Sequence, residues 1–406
     1  MPERQTQADI QASLTVQDFD AVDGVVRILR SAAEIETVHR FWSSTPGTRD
    51  SDIDIFFPED QRRDPAVLQP RVLVLLRNGN PVALLIGKIV RREFVFRVGY
   101  FRLGKVMANV LTIPYGGLRG EESPENCKRF LREIQACLKL GEADVALFQY
   151  VNADSALFRC AKREPNFLSR DYFTPLRPHR KRQLPPSIDK LYVGVAQGGK
   201  QFRRVANKLA SEFSGEVRVD RFENVADLDR TLAVVEEIAH KTWQRKISNI
   251  GFNPRDNSLM DVLKTEARGG HLRVYTLYLR GTPCAFWIGA VYQNTFISDF
   301  LGYDPDFANY SPGTFLLSQM MEDFCSQGVQ EIDFGFSDEE YKRRFGNVMW
   351  QDANVHVFAP TWRGLTLSVM RMITVIPHEA ARTFLKWTDL YQKAKRIWRK
   401  LAKRNH

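Results

Sequence analysis

The sequence predicts a duplicated α/β protein with two domains, each a mixed and mostly antiparallel sheet flanked by helices. The first observation is a repeated hairpin, because residues 76–87 and 279–289 share a Leu-Arg entry, a Gly turn and a strand that begins with Pro. Gly79, Pro81 and Gly87 all recur 202 residues later, which is close to half of the 406-residue chain. The second observation is that the same elements follow the hairpin in each half, namely a third strand, a helix and a further strand. A chance pair of hairpins is the alternative.

The first half is predicted to begin with a flexible N-terminus over residues 1–21 and to form a domain over residues 22–176. Helical spacing starts at Ile28 and ends at Trp42, and residues 45–70 read as a long acidic and aromatic loop. The remaining predicted elements are strands at 72–77, 81–90, 110–115 and 145–151 and a helix at 124–140. Residues 177–187 are basic and rich in Pro, without a period of two or 3.6, and are therefore predicted to be a linker.

The second domain is predicted over residues 188–360 and is followed by a basic amphipathic helical tail over residues 361–406. Its predicted helices cover 200–213, 228–243, 312–327 and 338–345, and its strands cover 216–222, 272–280, 283–293, 295–303, 331–336 and 354–358. Three antiparallel strands, then helix, strand, helix and strand, is the element order of the second half.

The amino-acid composition and the distribution of charge limit the classes of protein to which this chain can belong. With 44% hydrophobic residues the chain can bury two cores, and the five Cys are scattered without paired spacing, which predicts a reducing, cytoplasmic protein without a metal site. No apolar run is long enough to cross a bilayer, and the N-terminus lacks a secretion signal. The net charge of +10 is concentrated in residues 382–406, where nine Lys or Arg stand against one Asp, a net +8. A nucleic-acid groove through the domains is therefore not indicated.

Four short motifs follow one another in the second half: Gly-Tyr-Asp-Pro at 302–305, Tyr-Ser-Pro-Gly-Thr-Phe-Leu-Leu at 310–317, Ile-Asp-Phe-Gly at 332–335 and Tyr-Lys-Arg-Arg-Phe-Gly at 341–346. Together they resemble the CelD/BcsL-type, or BioF2-like, acetyltransferase domain family of the GNAT superfamily, which is related to the FemABX peptidyltransferases. The resemblance implies tandem GNAT-like domains of which the second is catalytic. It also implies acyl-CoA, in particular acetyl-CoA, as co-substrate, and a sugar or a cell-envelope or exopolysaccharide precursor as acceptor.

The segment Ser311-Pro312-Gly313-Thr314 is predicted to hold the phosphates of the donor. Ser is a good N-cap, Pro fits the first helical turn, and Gly lets a ligand approach free backbone amides at the positive end of a helix. A capped helix without a ligand is the alternative. The resemblance implies that this position, after the third strand, holds the pyrophosphate of acyl-CoA, as it does in GNAT proteins.

Three residues are candidates for catalysis. The resemblance implies that Tyr341 protonates the departing thiolate, a role that suits a neutral phenol, although Tyr341 can equally pack its helix onto the sheet. Asp299 lies between apolar neighbours in a predicted strand and Asp333 lies in the next strand, so either is a candidate general base for an amine or hydroxyl acceptor. Each can instead be a structural hydrogen-bond acceptor.

Five further residues are predicted to bind substrate. Lys342 is the neighbour of Tyr341 in its motif, and Tyr303 belongs to the first motif. The resemblance implies that Trp243 and Arg245 correspond loosely to a family Arg–Trp pair, and that Tyr115, in Tyr-Gly-Gly, lines the groove between the two copies. A strand that simply ends in a turn is the alternative at Tyr115.

Aromatic residues from Phe384 to Trp398 recur at spacings of three and four among the bases of segment 382–406, which predicts contact with an anionic membrane at its inner face. A helix docked on the protein's own core is the alternative. The predicted function is an acyl-CoA-dependent N- or O-acyltransferase. The alternatives are a FemABX-like transferase that uses aminoacyl-tRNA, the one case in which a nucleic acid is a partner, and a catalytically silent assembly factor for polysaccharide synthesis.

Overall fold

The computed structural model describes residues 24–57, 67–98, 101–191, 198–222, 225–242 and 251–387. The predicted flexible N-terminus, the candidates Trp243 and Arg245, and residues 388–406 of the basic tail lie outside these ranges. We refer to residues 24–191 as the first half and to residues 198–358 as the second half.

The first half contains nine strands and five helices within its described residues. The strands are β1 (Val25–Leu29), β2 (Val67–Pro70), β3 (Val72–Arg77), β4 (Asn80–Leu85), β5 (Lys88–Val98), β6 (Phe101–Ile113), β7 (Leu118–Gly120), β8 (Val145–Asn152) and β9 (Arg177–Gln183). The helices are α1 (Ala32–Glu36), α2 (His39–Ser44), α3 (Ile53–Phe56), α4 (Pro124–Lys139) and α5 (Ala156–Arg163).

The second half contains six strands and five helices within its described residues, and one more helix follows it. The strands are β10 (Val217–Arg221), β11 (Leu272–Leu279), β12 (Thr282–Tyr292), β13 (Thr295–Tyr303), β14 (Glu331–Phe336) and β15 (Val348–Phe358). The helices are α6 (Gly198–Phe213), α7 (Leu228–Lys241), α8 (Asn257–Arg268), α9 (Pro312–Gln327), α10 (Glu340–Phe345) and the final α11 (Trp362–Trp387).

One mixed sheet of eleven strands runs through both halves in the order β10-β11-β12-β13-β14-β9-β15-β8-β6-β5-β2, and a smaller sheet has the order β1-β3-β4-β7. The last strands of the two halves are exchanged. β9 of the first half pairs with β14, β15 of the second half pairs with β8, and β9 and β15 pair with each other in the middle. The predicted mixed α/β fold is confirmed, and this exchange joins its two halves into a single sheet.

The repeated hairpin is present in both halves. Asn78 and Gly79 at the β3–β4 turn have φ of 51° and 75°, and Arg280 and Gly281 at the β11–β12 turn have φ of 49° and 73°. Two consecutive residues with positive φ are typical of the tight turn that matches the twist of an antiparallel hairpin. The same turn geometry therefore accompanies the sequence repeat.

Several details of the sequence interpretation were wrong. The basic, Pro-rich segment 177–187 is not an irregular linker throughout, because Arg177–Gln183 is β9, a central strand of the large sheet. Its side chains lack a period of two because β9 is covered on both faces, with His179 and Arg182 buried. Ile28 belongs to β1 rather than to a helix, and the predicted loop 45–70 contains the helical turn Arg49–Ser51 as well as α3 and β2.

The helices cover the sheets with separate apolar clusters. α4 and α5 pack on the first half, and α6 and α9 pack on the second. Helix α11, the beginning of the predicted tail, lies on the first half's sheet, where Leu367 packs with Phe96 and Phe358. The alternative of a docked helix was given for segment 382–406, of which only the first residues are described, and it stays a prediction.

Candidate functional site

Strands β13 and β14 run parallel but stay together over only three residue pairs, which end at Ile297 and Asp333. Beyond that point β14 continues to pair with β9 as far as Phe336, whereas β13 continues to Tyr303 beside β12. The two strands therefore diverge and leave an opening in the sheet at their carboxyl ends. Such an opening between parallel strands is a common place for a ligand.

Asp299 lies at the start of this opening, at a bulge in β13. The β12–β13 register passes from Ile288–Phe300 to Gly289–Ser298, so Asp299 has no partner residue on β12. A side chain at Gly289 would place its Cβ 2.1 Å from the carbonyl oxygen of Ile297, which explains the glycine. The bulge turns Asp299 toward the first half of the chain, where it meets a cation.

That cation is Arg49, on the helical turn before α3. Its two terminal nitrogens donate to the two carboxylate oxygens of Asp299, each at 2.7 Å. A bidentate pair of this kind is among the strongest hydrogen-bonded contacts in proteins. Although burial opposes it, the charge of Asp299 raises the pKa of Arg49. Asp299 therefore forms an ion pair that joins the two halves. This contact agrees with the alternative given for Asp299, a structural hydrogen-bond acceptor, rather than with a general base.

Two more carboxylates surround Arg49. Glu266 of α8 is 1% exposed and lies 3.4 Å from Arg49, yet neither of its oxygens has a hydrogen-bond partner. Burial raises the pKa of Glu266 to about 7, although the charge of Arg49 opposes the shift. Asp50 lies 3.6 Å from the Nε of Arg49 and keeps 44% of its side chain exposed. Desolvation of the carboxyl group raises the pKa of Asp50, the charge of Arg49 opposes this shift, and the charges of Asp299 and Asp333 add to it.

Asp333, the second candidate base, belongs to a separate buried group. Its Oδ1 lies 2.6 Å from Nε2 of His179 on β9, and Oδ2 of Asp352 on β15 lies 2.7 Å from Nδ1 of the same ring. The His179 side chain is 1% exposed. Burial lowers the pKa of His179, but the two carboxylates outweigh it and raise the pKa above the usual value. The imidazolium thus links three adjacent strands, two of which are the exchanged ones.

An aromatic layer surrounds His179 and contains the predicted Tyr115. The His179 ring stacks on Trp350 at 4.2 Å between centroids and meets Phe336 edge-on at 4.6 Å. Tyr115 lies 5.4 Å from His179 and 5.6 Å from Phe336, and Tyr150 stacks on Phe336 at 3.4 Å. Tyr115 therefore lies at the junction of the two halves.

On the far side of the opening, α9 begins at the predicted phosphate-binding segment. Ser311 does not cap this helix with its side chain, because it has left-handed backbone angles, φ 52° and ψ 50°, at the end of the preceding 3-10 turn. Its carbonyl instead accepts from the N–H of Thr314 at 3.0 Å. Gly313 faces open space, since an added Cβ would meet no atom within 4 Å. The predicted side-chain cap is therefore wrong, while donor binding at this segment stays a prediction.

Tyr341 and Lys342 lie on α10, directly after β14. The Tyr341 ring meets Trp287 and Phe334 edge-on, at 6.0 and 5.8 Å, below the point where β13 and β14 diverge. Burial raises the pKa of Tyr341, so its phenol is neutral at pH 7. Lys342 is buried and donates to the carbonyl of Phe336 and to Ser337, and burial lowers its pKa.

One predicted residue, Tyr303, and four residues that were not predicted remain to be described. Tyr303 is 40% exposed at the end of β13. Arg49, Asp50, Glu266 and His179 were not predicted, because the ion pairs of Arg49, Glu266 and His179 join residues that are distant in sequence, and Asp50 adjoins Arg49 in a segment that was interpreted as a loop. Within the described ranges, no three His, Cys, Asp or Glu side chains are placed to hold a metal ion.

Comparisons with known proteins bear on the second half. Residues 197–343 match the family model described as an acetyltransferase (GNAT) domain. This match confirms that the second half contains a GNAT-type acyltransferase domain. The CelD/BcsL-type assignment stays a prediction. The comparison with curated proteins found no match.

Several solved structures are similar to this chain. FemX has a TM-score of 0.50 at 10% identity, over 82% of this chain and 97% of that one. A tandem GNAT protein from the clavulanic acid biosynthesis pathway has a TM-score of 0.48 at 11% identity, over 83% and 99%. L-PGS from Bacillus licheniformis has a TM-score of 0.44 at 13% identity, over 84% and 96%. At these identities the similarity to FemX supports the fold alone.

Proposed function

We propose that the protein is an acyl-CoA-dependent N- or O-acyltransferase whose donor occupies the opening between β13 and β14. The observation that carries this proposal is the divergence of the two strands after Ile297 and Asp333, inside the matched domain. An added Cβ at Gly313, at the start of α9, would meet no atom within 4 Å, and Tyr341 of α10 packs on Phe334 of β14, which supports the proposal. Acetyl-CoA is the proposed donor because the matched family is one of acetyltransferases.

The proposed reaction is a direct transfer. The acceptor amine or hydroxyl attacks the thioester carbonyl, a C–N or C–O bond forms, the C–S bond breaks, and the thiolate leaves. Tyr341 is placed to protonate that thiolate, because its phenol is neutral and makes no hydrogen bond to another described residue. Lys342, fixed by the Phe336 carbonyl, holds α10 against the end of β14.

The acceptor must also lose a proton, and the contacts favour Asp50 for this role. Asp299 is held by Arg49 through both oxygens, and Asp333 is held by His179. Asp50 is the carboxylate of this group that remains accessible, at 44% exposure. A raised pKa brings a carboxyl closer to the operating pH, which suits a general base.

The proposed acceptor is a sugar or a cell-envelope or exopolysaccharide precursor, which follows from the resemblance of the four motifs. A cytoplasmic location, with peripheral contact through residues 382–406, is proposed on the same basis and on the charge of that segment.

Thermal shifts of the full-length protein with acetyl-CoA, longer acyl-CoAs and aminoacyl-tRNA test the donor. We expect acetyl-CoA to raise Tm in the natural protein and not in Gly313→Val, whose side chain fills the open space beside the helix start. Gly104→Val is the matched control, because Gly104 on β6 is equally free of neighbours within 4 Å.

Each other outcome has a definite meaning. A full shift in Gly313→Val places the donor elsewhere. A shift with aminoacyl-tRNA alone selects the FemABX-like alternative, and no shift with any donor selects the silent assembly factor.

A further inference from the structure

Helix α11 presents an apolar face that no described residue covers. Its inner face is buried on the sheet, with Leu367 at 3% and Thr374 at 5% exposure. Its outer face carries large apolar side chains that are between 38% and 82% exposed: Trp362, Val369, Met372, Ile373, Ile376 and Phe384. Their successive spacings of seven, three, one, three and eight residues place them along one side of the helix.

The outer face also lacks charge over four turns. The exposed positions between residues 364 and 380 are Thr366, Val369, Met372, Ile373, Ile376, Pro377 and Ala380. Arg371 turns away from this face and donates to Asp171 and to the carbonyl of Phe173, and Glu379 is paired with Arg177. Helix α4, by contrast, has a charged outer face, which is usual for a surface helix. Its exposed positions include Glu125, Lys128, Arg132 and Lys139.

The loop between α5 and β9 lies next to α11 and carries further exposed apolar side chains. Because Arg371 bonds to Asp171 and Phe173, the loop runs alongside α11. Five of its side chains are between 42% and 75% exposed: Phe167, Leu168, Tyr172, Phe173 and Leu176. We call these residues and the exposed apolar residues of α11 the apolar face. More than half of the exposed large apolar side chains in the described ranges belong to it. An apolar surface of this extent marks an interaction site.

We propose that the apolar face docks on the surface of an anionic phospholipid bilayer. Helix α11 leads directly into residues 388–406, and segment 382–406 carries a net +8, so an apolar surface and a dense positive charge adjoin each other. An interfacial helix combines these two properties, because its apolar side chains enter the acyl boundary while nearby bases meet anionic headgroups. No described helix is long and apolar enough to cross a bilayer, and α11 accordingly lies along the surface.

A second copy of the chain fits the face less well than lipid does. Two copies joined through α11 would bring two segments of net +8 to one interface, and like charges at an interface repel. Anionic lipid neutralises the same charge. The proposal does not depend on the donor or acceptor proposed above.

Flotation of the full-length protein with vesicles tests the proposal. The vesicles contain phosphatidylcholine alone or with an equal amount of phosphatidylglycerol, at low and at high salt. The test variant is Ile373→Glu with Ile376→Glu, at positions 54% and 40% exposed, and the matched control is Ile188→Glu with Val225→Glu, at 45% and 48%. Both double variants change the net charge equally. We expect the test variant to lower partitioning about tenfold or more and the control to lower it about twofold or less.

Other outcomes would overturn the proposal. If the natural protein does not float with anionic vesicles at low salt, or if both double variants weaken binding equally, the apolar face does not contact lipid. If the test variant instead converts a dimer into a monomer in light scattering, a second copy covers the face. The thermal shift with acetyl-CoA, measured on the same variants, reports the donor site separately and shows that they are folded.

Discussion

The buried Glu266 makes a sharp prediction about stability and pH. Its folded-state pKa of about 7 lies well above the ordinary value of 4.5, because the side chain is buried and has no hydrogen-bond partner. The folded protein therefore holds a proton that the unfolded chain releases. This contribution to stability is complete below about pH 4.5 and is lost as the pH rises through about 7.

The size of the effect follows from the two pKa values. At about 1.4 kcal/mol for each pKa step, the difference between about 7 and 4.5 corresponds to a loss of about 3 kcal/mol between pH 4.5 and pH 8. Glu266→Gln keeps the shape of the protonated acid and cannot ionise. It should remove this pH dependence, at a constant cost of about 1–3 kcal/mol for an amide without a good partner.

Urea unfolding at about pH 5 and about pH 8 measures the effect, because a carboxyl with this pKa is mostly neutral at the first value and ionised at the second. The quantity of interest is the difference in unfolding free energy between Glu266→Gln and the natural protein at each pH. From the lower to the higher pH, the natural protein should lose about 2–3 kcal/mol of unfolding free energy relative to Glu266→Gln. Glu125→Gln, at an exposed position of α4, should show no such movement.

A constant difference between Glu266→Gln and the natural protein at both pH values would refute this reasoning. It would mean that Glu266 is ionised throughout and that Arg49 fully compensates its burial. A movement of the opposite sign would mean that the charge of Arg49 lowers the pKa of Glu266 below the ordinary value.

Three further predictions concern single residues. Tyr341→Phe should lower turnover by about tenfold or more and leave acetyl-CoA affinity nearly unchanged, because only the proton donor is lost; equal turnover in steady-state kinetics would reduce Tyr341 to packing. Asp50→Asn should lower kcat/KM and remove the acidic limb of its pH profile, with partial recovery in Asp50→Glu; an unchanged profile would assign the base elsewhere. Burial and the charge of Arg371 lower the pKa of His356 from 6.5 to about 4, so stability should fall as the pH drops through that window. His356→Asn should flatten the fall in urea unfolding, and an equally steep fall would contradict the assignment.

The repetition of the fold was readable from the sequence because local rules fix it. The Gly turns, the strand after the second of them and the helix at 312–327 depend on residues close together in the chain, and the structure has them where they were predicted. The strand predicted at 81–90 was wrong, because the structure divides it between β4 and β5, which belong to different sheets. β9 was missed because its environment is long-range. In the sequence alone, seven residues with four bases and a Pro resemble a linker. In the fold, β14 and β15 pair with the two edges of β9, and carboxylates pair with its bases.

The site was only half predictable for the same reason. Gly313 and Tyr341 stand in local motifs that can be recognised from the sequence, and their roles in binding and catalysis stay predictions. Asp299 was correctly predicted to be in a strand, but its partner is Arg49, 250 positions away. Periodicity could not show that pair. The available local signal was the position of Arg49 next to Asp50, in the part of the loop that also carries Asp52 and Asp54.

The exchange of strands also explains why the second half is the better catalytic candidate. In the first half β6 and β8 pair in parallel as far as Ile113 and Phe148, and Tyr115 and Tyr150 follow just beyond this point. Both rings pack on Phe336 of the second half, so the aromatic layer fills the place where β6 and β8 would open. In the second half, the corresponding strands β13 and β14 diverge after Ile297 and Asp333. A duplicated fold thus has two equivalent openings, and the junction that fuses the halves closes one of them.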